Sequence, residues 1–339
     1  MTRALPPART PDPRAAPALR WGIIGTGWIA ERFVHALHSY TTQRVVAVGS
    51  RGGGRARNFA DRLGIAGAFD SYDELVASDV DVVYIATEHP AHLSCAKLAL
   101  TAGKPVLVEK PLALNADEAR ELADLAAARG LFCMEAFWSY FLPKFDVVRQ
   151  ILESGMLGEL QTVMADNGED LTGHRRVMNA AMAGGPMLDL GTYVFGLAHW
   201  VLGPQQLVGA TGQNHPAGVN GQLSAVLADA AGRQSVLHTT VLANTPVSAF
   251  IAGSAATLVL DGPFYQPGGF TVRFADGETL VYDEEPVGHE ALHWQAAEVA
   301  RCVAGGRLES PLRPLADTIA TLTAMDDVRR QLGISFPGE

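Results

Sequence analysis

The stretch from Arg20 to Leu37 constrains this chain more than any other. RWGIIG is a short apolar run ending in glycine, and the following WIAERFVHALH sets Ile29, Phe33, Ala36 and Leu37 at helical spacing. The reading is strand, tight turn, helix. The same rhythm continues: RVVAVGS reads as a second buried strand, ARNFADRLG as a helix stopped by Gly64, and DVDVVYIAT as a third strand. Helix AHLSCAKLALTAG, strand PVLVEK, helix NADEARELADLAAARG and strand LFCMEAF follow, and Asn115 with Glu118 has capping-box spacing. Strands alternating with helices predict a doubly wound parallel sheet.

After Pro143 the rhythm changes. Helical stretches KFDVVRQILESG and PMLDLGTYVFGLAHWVLG surround the strand ELQTVMAD, and strand-like runs then succeed one another from about Gln206 to Asp283. Their period-two alternation and Gly/Asp/Pro turns predict a large, mostly antiparallel sheet. Two helices, ALHWQAAEVARCVAGG and PLADTIATLTAMDDVRRQLG, close the chain. At 339 residues one core is not expected to suffice. The fold class is therefore α/β, with a Rossmann domain over residues 20–142 and an α+β domain over residues 143–339. Residues 1–19, rich in Pro, Ala and Arg without period, read as a disordered leader, a plain extension rather than a transit peptide.

Composition excludes several classes. With 26 Lys+Arg against 36 Asp+Glu the net charge is −10, which disfavours a nucleic-acid partner. Cys95, Cys133 and Cys302 are widely separated and match no metal spacing, so they read as small buried residues and no metal is expected. No apolar run has the length of a membrane span and no secretion signal is evident, which makes the cytoplasm the expected address.

Gly25-Thr26-Gly27-Trp28-Ile29-Ala30 is GxGxxA at a strand-to-helix turn, the context in which this pattern signals a dinucleotide. Gly25 allows the turn, Gly27 the approach of a pyrophosphate, and Ala30 the packing of helix on strand. An NAD site usually carries an acid about 20 residues on, for the ribose 2′-hydroxyl. Here residues 32–60 hold no Asp or Glu, whereas Ser50 and Arg51 end the second strand and Arg55 and Arg57 follow. A 2′-phosphate finds a hydroxyl and a guanidinium there, so the expected cofactor is NADP. Solvated helix charge is the competing reading for Arg55 or Arg57.

Glu109-Lys110-Pro111 ends the strand PVLVEK, and open α/β sheets bind ligands at this end of their strands. With GxGxxA before it and an α+β domain after it, EKP resembles the glucose-fructose oxidoreductase, inositol dehydrogenase and MocA family. The likeness runs from about residue 20 to 338 and includes GGPMLDLGTY, Gly184 to Tyr193, where many members carry His in place of Tyr193. With Tyr there, and with MEAFW, SPL near Ser310 and RRQLGISFP, the chain is similar to the dihydrodiol dehydrogenase and NADP-dependent xylose dehydrogenase branch.

The resemblance implies Tyr193 as general acid/base and Lys110 as the cation that favours its phenolate and orients a substrate hydroxyl. Asp189, four residues before Tyr193, orients the helix or a substrate hydroxyl, or serves structure alone. Thr87, His89 and His92 in ATEHPAH resemble a loop beside the cofactor, with Glu88 where members commonly have Pro; His92 also suits a helix cap. Glu135 and Trp138 either line the cleft or pack in the core. Tyr140 stands where the branch often has Arg, and Arg176, with His174 and Arg175, either reaches substrate or is solvated loop charge. The expectation is a metal-free NADP oxidoreductase acting on a sugar, polyol or cyclic vicinal diol, in a homo-oligomer paired through the second domain's sheet. An internal-redox enzyme with tightly held NADP and a non-catalytic NADP-binding sensor are the alternatives.

Overall fold

The computed structural model describes residues 3–339; Met1 and Thr2 of the expected leader lie outside the described residues. Strand β1 (Arg20–Ile24) runs into α1 (Trp28–Tyr40), and β2 (Arg44–Gly49), α2 (Arg55–Leu63), β3 (Gly67–Phe69), α3 (Tyr72–Ala77) and β4 (Val82–Ile85) follow. Then come α4 (His92–Thr101), β5 (Val106–Glu109), α5 (Ala116–Arg129) and β6 (Cys133–Ala136). The six strands form one parallel sheet in the order β3-β2-β1-β4-β5-β6, the doubly wound arrangement expected. Strands β4, β5 and β6 are buried along their whole length, which is why they read as unbroken apolar runs. Asn115 caps α5 by accepting from the Glu118 N–H at 2.9 Å, as its spacing predicts. No apolar period marks β3, a three-residue edge strand, or α3, a helix of 6 residues.

The second sheet follows α6 (Pro143–Glu153). It begins with β7 (Leu160–Gly168) and continues, after a π-helical turn (Met187–Gly191) and α7 (Thr192–Leu202), with β8 (Gln206–Asn214), β9 (Asn220–Ala228) and β10 (Gln234–Thr240). Strands β11 (Ala249–Gly253), β12 (Ala256–Leu260), β13 (Phe270–Phe274) and β14 (Thr279–Tyr282) complete it, in the order β14-β13-β12-β11-β7-β10-β9-β8. All neighbours are antiparallel except β7 and β10. Helix α7 packs on β7 and β10, and the alternation of β9 and β10 leaves every second residue half-exposed on the other side. Helices α8 (His293–Ala304) and α9 (Leu315–Leu332) end the chain.

The chain divides into two compact units: residues 11–141 with Val287–Thr318, and residues 3–10 with Leu142–Pro286 and Ile319–Glu339. This differs from the sequence reading, which gave everything beyond residue 142 to the second domain. Among the contacts that hold Val287–Thr318 to the first unit, Ala297 and Ala300 of α8 pack on Ala16, and Arg313 pairs with Glu135 inside the core. Residues 3–19 also differ from the disordered leader expected. Arg3 pairs with Asp276 and Glu278 and lies over the Phe274 ring, the Arg9 amide donates to Asp146, and Asp12 caps a short 3-10 turn, Pro13–Ala15. The lack of period in this segment reflects contacts made one by one rather than by a continuous face.

Candidate active site

In the first unit the glycine turn is built for a ligand. Gly25 has φ 118°, and a Cβ there would lie 2.3 Å from the Ala86 carbonyl oxygen, so no other residue fits. Its N–H donates to Gly49 O at 3.0 Å, which ties the turn to the end of β2. At Gly27, the N-cap of α1, a Cβ would meet no atom within 4 Å. Ala30 is fully buried against the sheet. The first amides of α1 have no intrahelical acceptor and no capping side chain, and with the helix dipole they suit a pyrophosphate. Thr26 and Ile29 are half-buried and Trp28 is exposed. The residues present therefore fit a dinucleotide.

At the end of β2, Ser50 is buried and its amide donates to Phe69 O of β3. Arg51 is exposed, with its guanidinium 5.8 Å from the centre of the Tyr72 ring, and Arg55 donates to the Arg51 carbonyl at 3.1 Å. Gly52, Gly53 and Gly54 all have positive φ and carry the chain from Arg51 to α2 without a side chain in the way.

Lys110 follows β5 half-buried, and its peptide bond to Pro111 is cis. The residues around it hold the loop. Glu109 is buried, accepts from the Tyr84 hydroxyl and accepts the Lys110 N–H at 3.2 Å; burial raises its pKa, against the opposing pull of Tyr84 and Lys110. His92, fully buried at the start of α4, places one ring nitrogen 2.8 Å from Pro111 O and the other 3.2 Å from Thr87 O. It thereby joins the loops after β4 and β5, and His89 lies edge-on to it at 5.6 Å. Of the two readings of Glu135, the structure gives core packing: Leu112 N–H, the Arg313 guanidinium and the Thr318 hydroxyl all donate to its carboxylate, which is 1% exposed. Trp138 is also buried, stacked on His289. Arg313 lies over the Phe137 and Tyr140 rings, and Tyr140 itself, deep among them, has its phenol pKa raised by burial.

In the second unit, Asp189 sits in the π turn before α7 and receives both arms of the Arg176 guanidinium. Arg176 is thus a partner of Asp189 rather than solvated charge, and the pair anchors the turn that leads into Tyr193. Tyr193, in the first turn of α7, is 7% exposed and stacks flat on Tyr265, with centroids 4.0 Å apart and 14° between the planes. Burial raises the Tyr265 pKa. Gln266 fixes the same loop: its carbonyl accepts from the ammonium of Lys144, whose pKa burial pulls down to about 8. Sequence reasoning missed Tyr265, His289 and Arg313. An aromatic pair inside a Gly/Pro-rich connection, FYQPGG, was the only available signal for Tyr265.

Among the described residues no three His, Cys, Asp or Glu side chains converge as a metal ion needs, and no helix is long and apolar enough to cross a membrane.

A parallel Rossmann sheet with a glycine turn, joined to a large mixed sheet, defines an oxidoreductase of the NAD(P)-binding kind. A model described as "Oxidoreductase family, NAD-binding Rossmann fold" matches residues 19–137, and one for the GFO/IDH/MocA C-terminal domain matches residues 145–259. The chain belongs to the Gfo/Idh/MocA family. It is 35% identical over 333 residues to the trans-1,2-dihydrobenzene-1,2-diol dehydrogenase of Bos taurus, covering 94% of this chain and 98% of that one. The Homo sapiens protein of the same name is 34% identical over 335 residues, with the same coverage. The 3-ketoreductase KijD10 from Actinomadura kijaniata, solved with NADP and TDP-benzene, superimposes with a TM-score of 0.82 at 27% identity, over 93% of this chain and 98% of that one. Levoglucosan dehydrogenase reaches 0.84 at 18% identity, over 94% and 98%, and shares the fold.

Proposed function

We propose that this protein is an NADP-dependent dehydrogenase that oxidises a hydroxyl-bearing carbon of a cyclic vicinal diol, sugar or polyol, or reduces the matching carbonyl. The observation that carries the reading is the similarity to the diol dehydrogenases over 94% of the chain, a span that includes both Lys110 and Tyr193. NADP, when bound, supplies or accepts hydride at the nicotinamide ring. Thr26, Gly27, Trp28 and Ile29 hold its pyrophosphate, and Ser50, Arg51 and Arg55 its 2′-phosphate, with Thr87, His89 and Pro111 along the loops beside it.

The Tyr193 oxygen takes the proton of the substrate hydroxyl during oxidation and returns it during reduction. Lys110 donates to that hydroxyl oxygen and favours the phenolate by its charge. Asp189, held by Arg176, positions the turn before Tyr193.

We further place the enzyme in the cytoplasm as a homo-oligomer. Val226, Val236, Met164, Phe250 and Val259 lie opposite one another across five strands, half-exposed or exposed, and this stripe suits a second copy of the chain.

The test is NADPH absorbance with NADP+ or NAD+ and a panel of trans-dihydrodiols and aldoses. Turnover preferring NADP+ supports the reading; no turnover of any hydroxyl substrate contradicts it. Replacing Arg51 by Ala is expected to weaken NADPH binding about 10-fold or more and leave NADH unchanged, as loss of a charge-assisted contact to phosphate implies.

A further inference from the structure

His289 lies in the segment Gly288–Leu292, which packs along α1. Its ring meets Trp28 edge-on with centroids 4.7 Å apart and 74° between the planes, and lies flat on Trp138 at 5.1 Å and 16°. Trp28 is the first residue of α1, directly after Gly27, and although 57% exposed it is pinned from two sides, since the Arg32 guanidinium stands 5.6 Å from its ring centre. Trp138, at the end of β6, is 2% exposed and so gives the stack a fixed wall. Burial, with the charges of Arg32 and Lys110, pulls the His289 pKa down to about 4, so the ring is neutral at ordinary pH and packs as an aromatic. Nothing in the sequence pattern marks this histidine, and the chemistry proposed above does not use it.

We propose that His289 is a cofactor-retaining residue: clasped between Trp28 and Trp138, it holds the segment Val287–Leu292 beside the glycine turn, so that a dinucleotide seated on α1 leaves only when the clasp opens. The turn it guards is the one whose Gly27 faces open space and whose amides await an anion. A ring held by two aromatic contacts has little freedom, and opening breaks both contacts together. The clasp slows release without touching the reacting atoms, and release is the step that sets turnover in many enzymes.

The inference rests on the dinucleotide reading above. Its test is binding, read from tryptophan quenching and from stopped-flow chase of NADPH, with NADH run in parallel. His289→Ala is expected to speed NADPH release at least 10-fold and to raise Kd by a similar factor, while His289→Phe, which restores an aromatic ring, stays within about threefold of the parent. Far-UV circular dichroism and melting confirm that both variants fold. Release and Kd of folded His289→Ala within twofold of the parent overturn the clasp. Failure of the unmodified protein to bind either dinucleotide overturns the dinucleotide reading instead.

Discussion

The ring of Tyr265 lies parallel to that of Tyr193 with 4.0 Å between centroids. A loop residue thus fixes the plane of the phenol proposed to move the proton. The loop is in turn fastened at Gln266 by Lys144, so the order of the ring is inherited from a buried ammonium on α6. An aromatic pair contributes roughly 0.5–1.5 kcal/mol beyond its area. Tyr265→Ala is therefore expected to lower kcat about 2- to 12-fold, and Tyr265→Phe to stay within about twofold. Steady-state kinetics of the two variants check this; equal loss in both assigns the effect to the hydroxyl rather than the stack.

Arg176 and Asp189 form a two-armed pair beside the start of α7. Lys cannot reproduce the planar fork. Arg176→Lys is expected to retain the fold and lose kcat, because Asp189 no longer fixes the turn. Arg176→Ala leaves a carboxylate that is 8% exposed without its guanidinium, at a cost of about 1–3 kcal/mol in urea unfolding. Parent-like kinetics and stability in both contradict the anchoring role.

Glu135 and Arg313 are both almost wholly buried and join the end of β6 to the segment returning before α9. Removing one partner of such a pair strands the other charge, typically at about 3–5 kcal/mol. Glu135→Gln is expected to lose stability in that range, and Thr318→Val, which removes one donor, to lose less. Denaturant titration of both decides it.

Burial pulls the pKa of His38, His289 and His293 below the ordinary histidine value, to about 4 for His289. Between about pH 6.5 and 4 the unfolded chain then holds more protons than the folded one, so stability falls as pH drops through that window. His289→Phe removes one of the three and is expected to flatten the slope. A slope unchanged from the parent, measured by denaturation at each pH, contradicts a depressed His289.

The first sheet was legible because every central strand is buried on both faces and so reads as an apolar run, and because GxGxxA needs its context to mean anything. The edge strand β3, with three half-buried residues, left no such trace. Within the site, placements that depend on position along one element were legible: Gly25 in its turn, Lys110 at a strand end, Tyr193 one turn beyond Asp189. Residues whose role depends on a partner far along the chain were not. Glu135 needs Arg313, 178 positions away, to become a core ion pair, and Tyr265 and His289 gain meaning only from the rings they meet. The same holds in the segment read as a leader, where Arg3 finds its acids at Asp276 and Glu278.

The central claim is that Tyr193 and Lys110 serve one reaction. Its most direct measurement is single-turnover hydride transfer, followed by NADPH absorbance, in Tyr193→Phe and Lys110→Met loaded with cofactor. Both variants are expected to bind NADPH as the parent does and to lose about 100-fold or more in the transfer step, the size typical of a lost acid/base group. Parent-like transfer in either variant contradicts the claim.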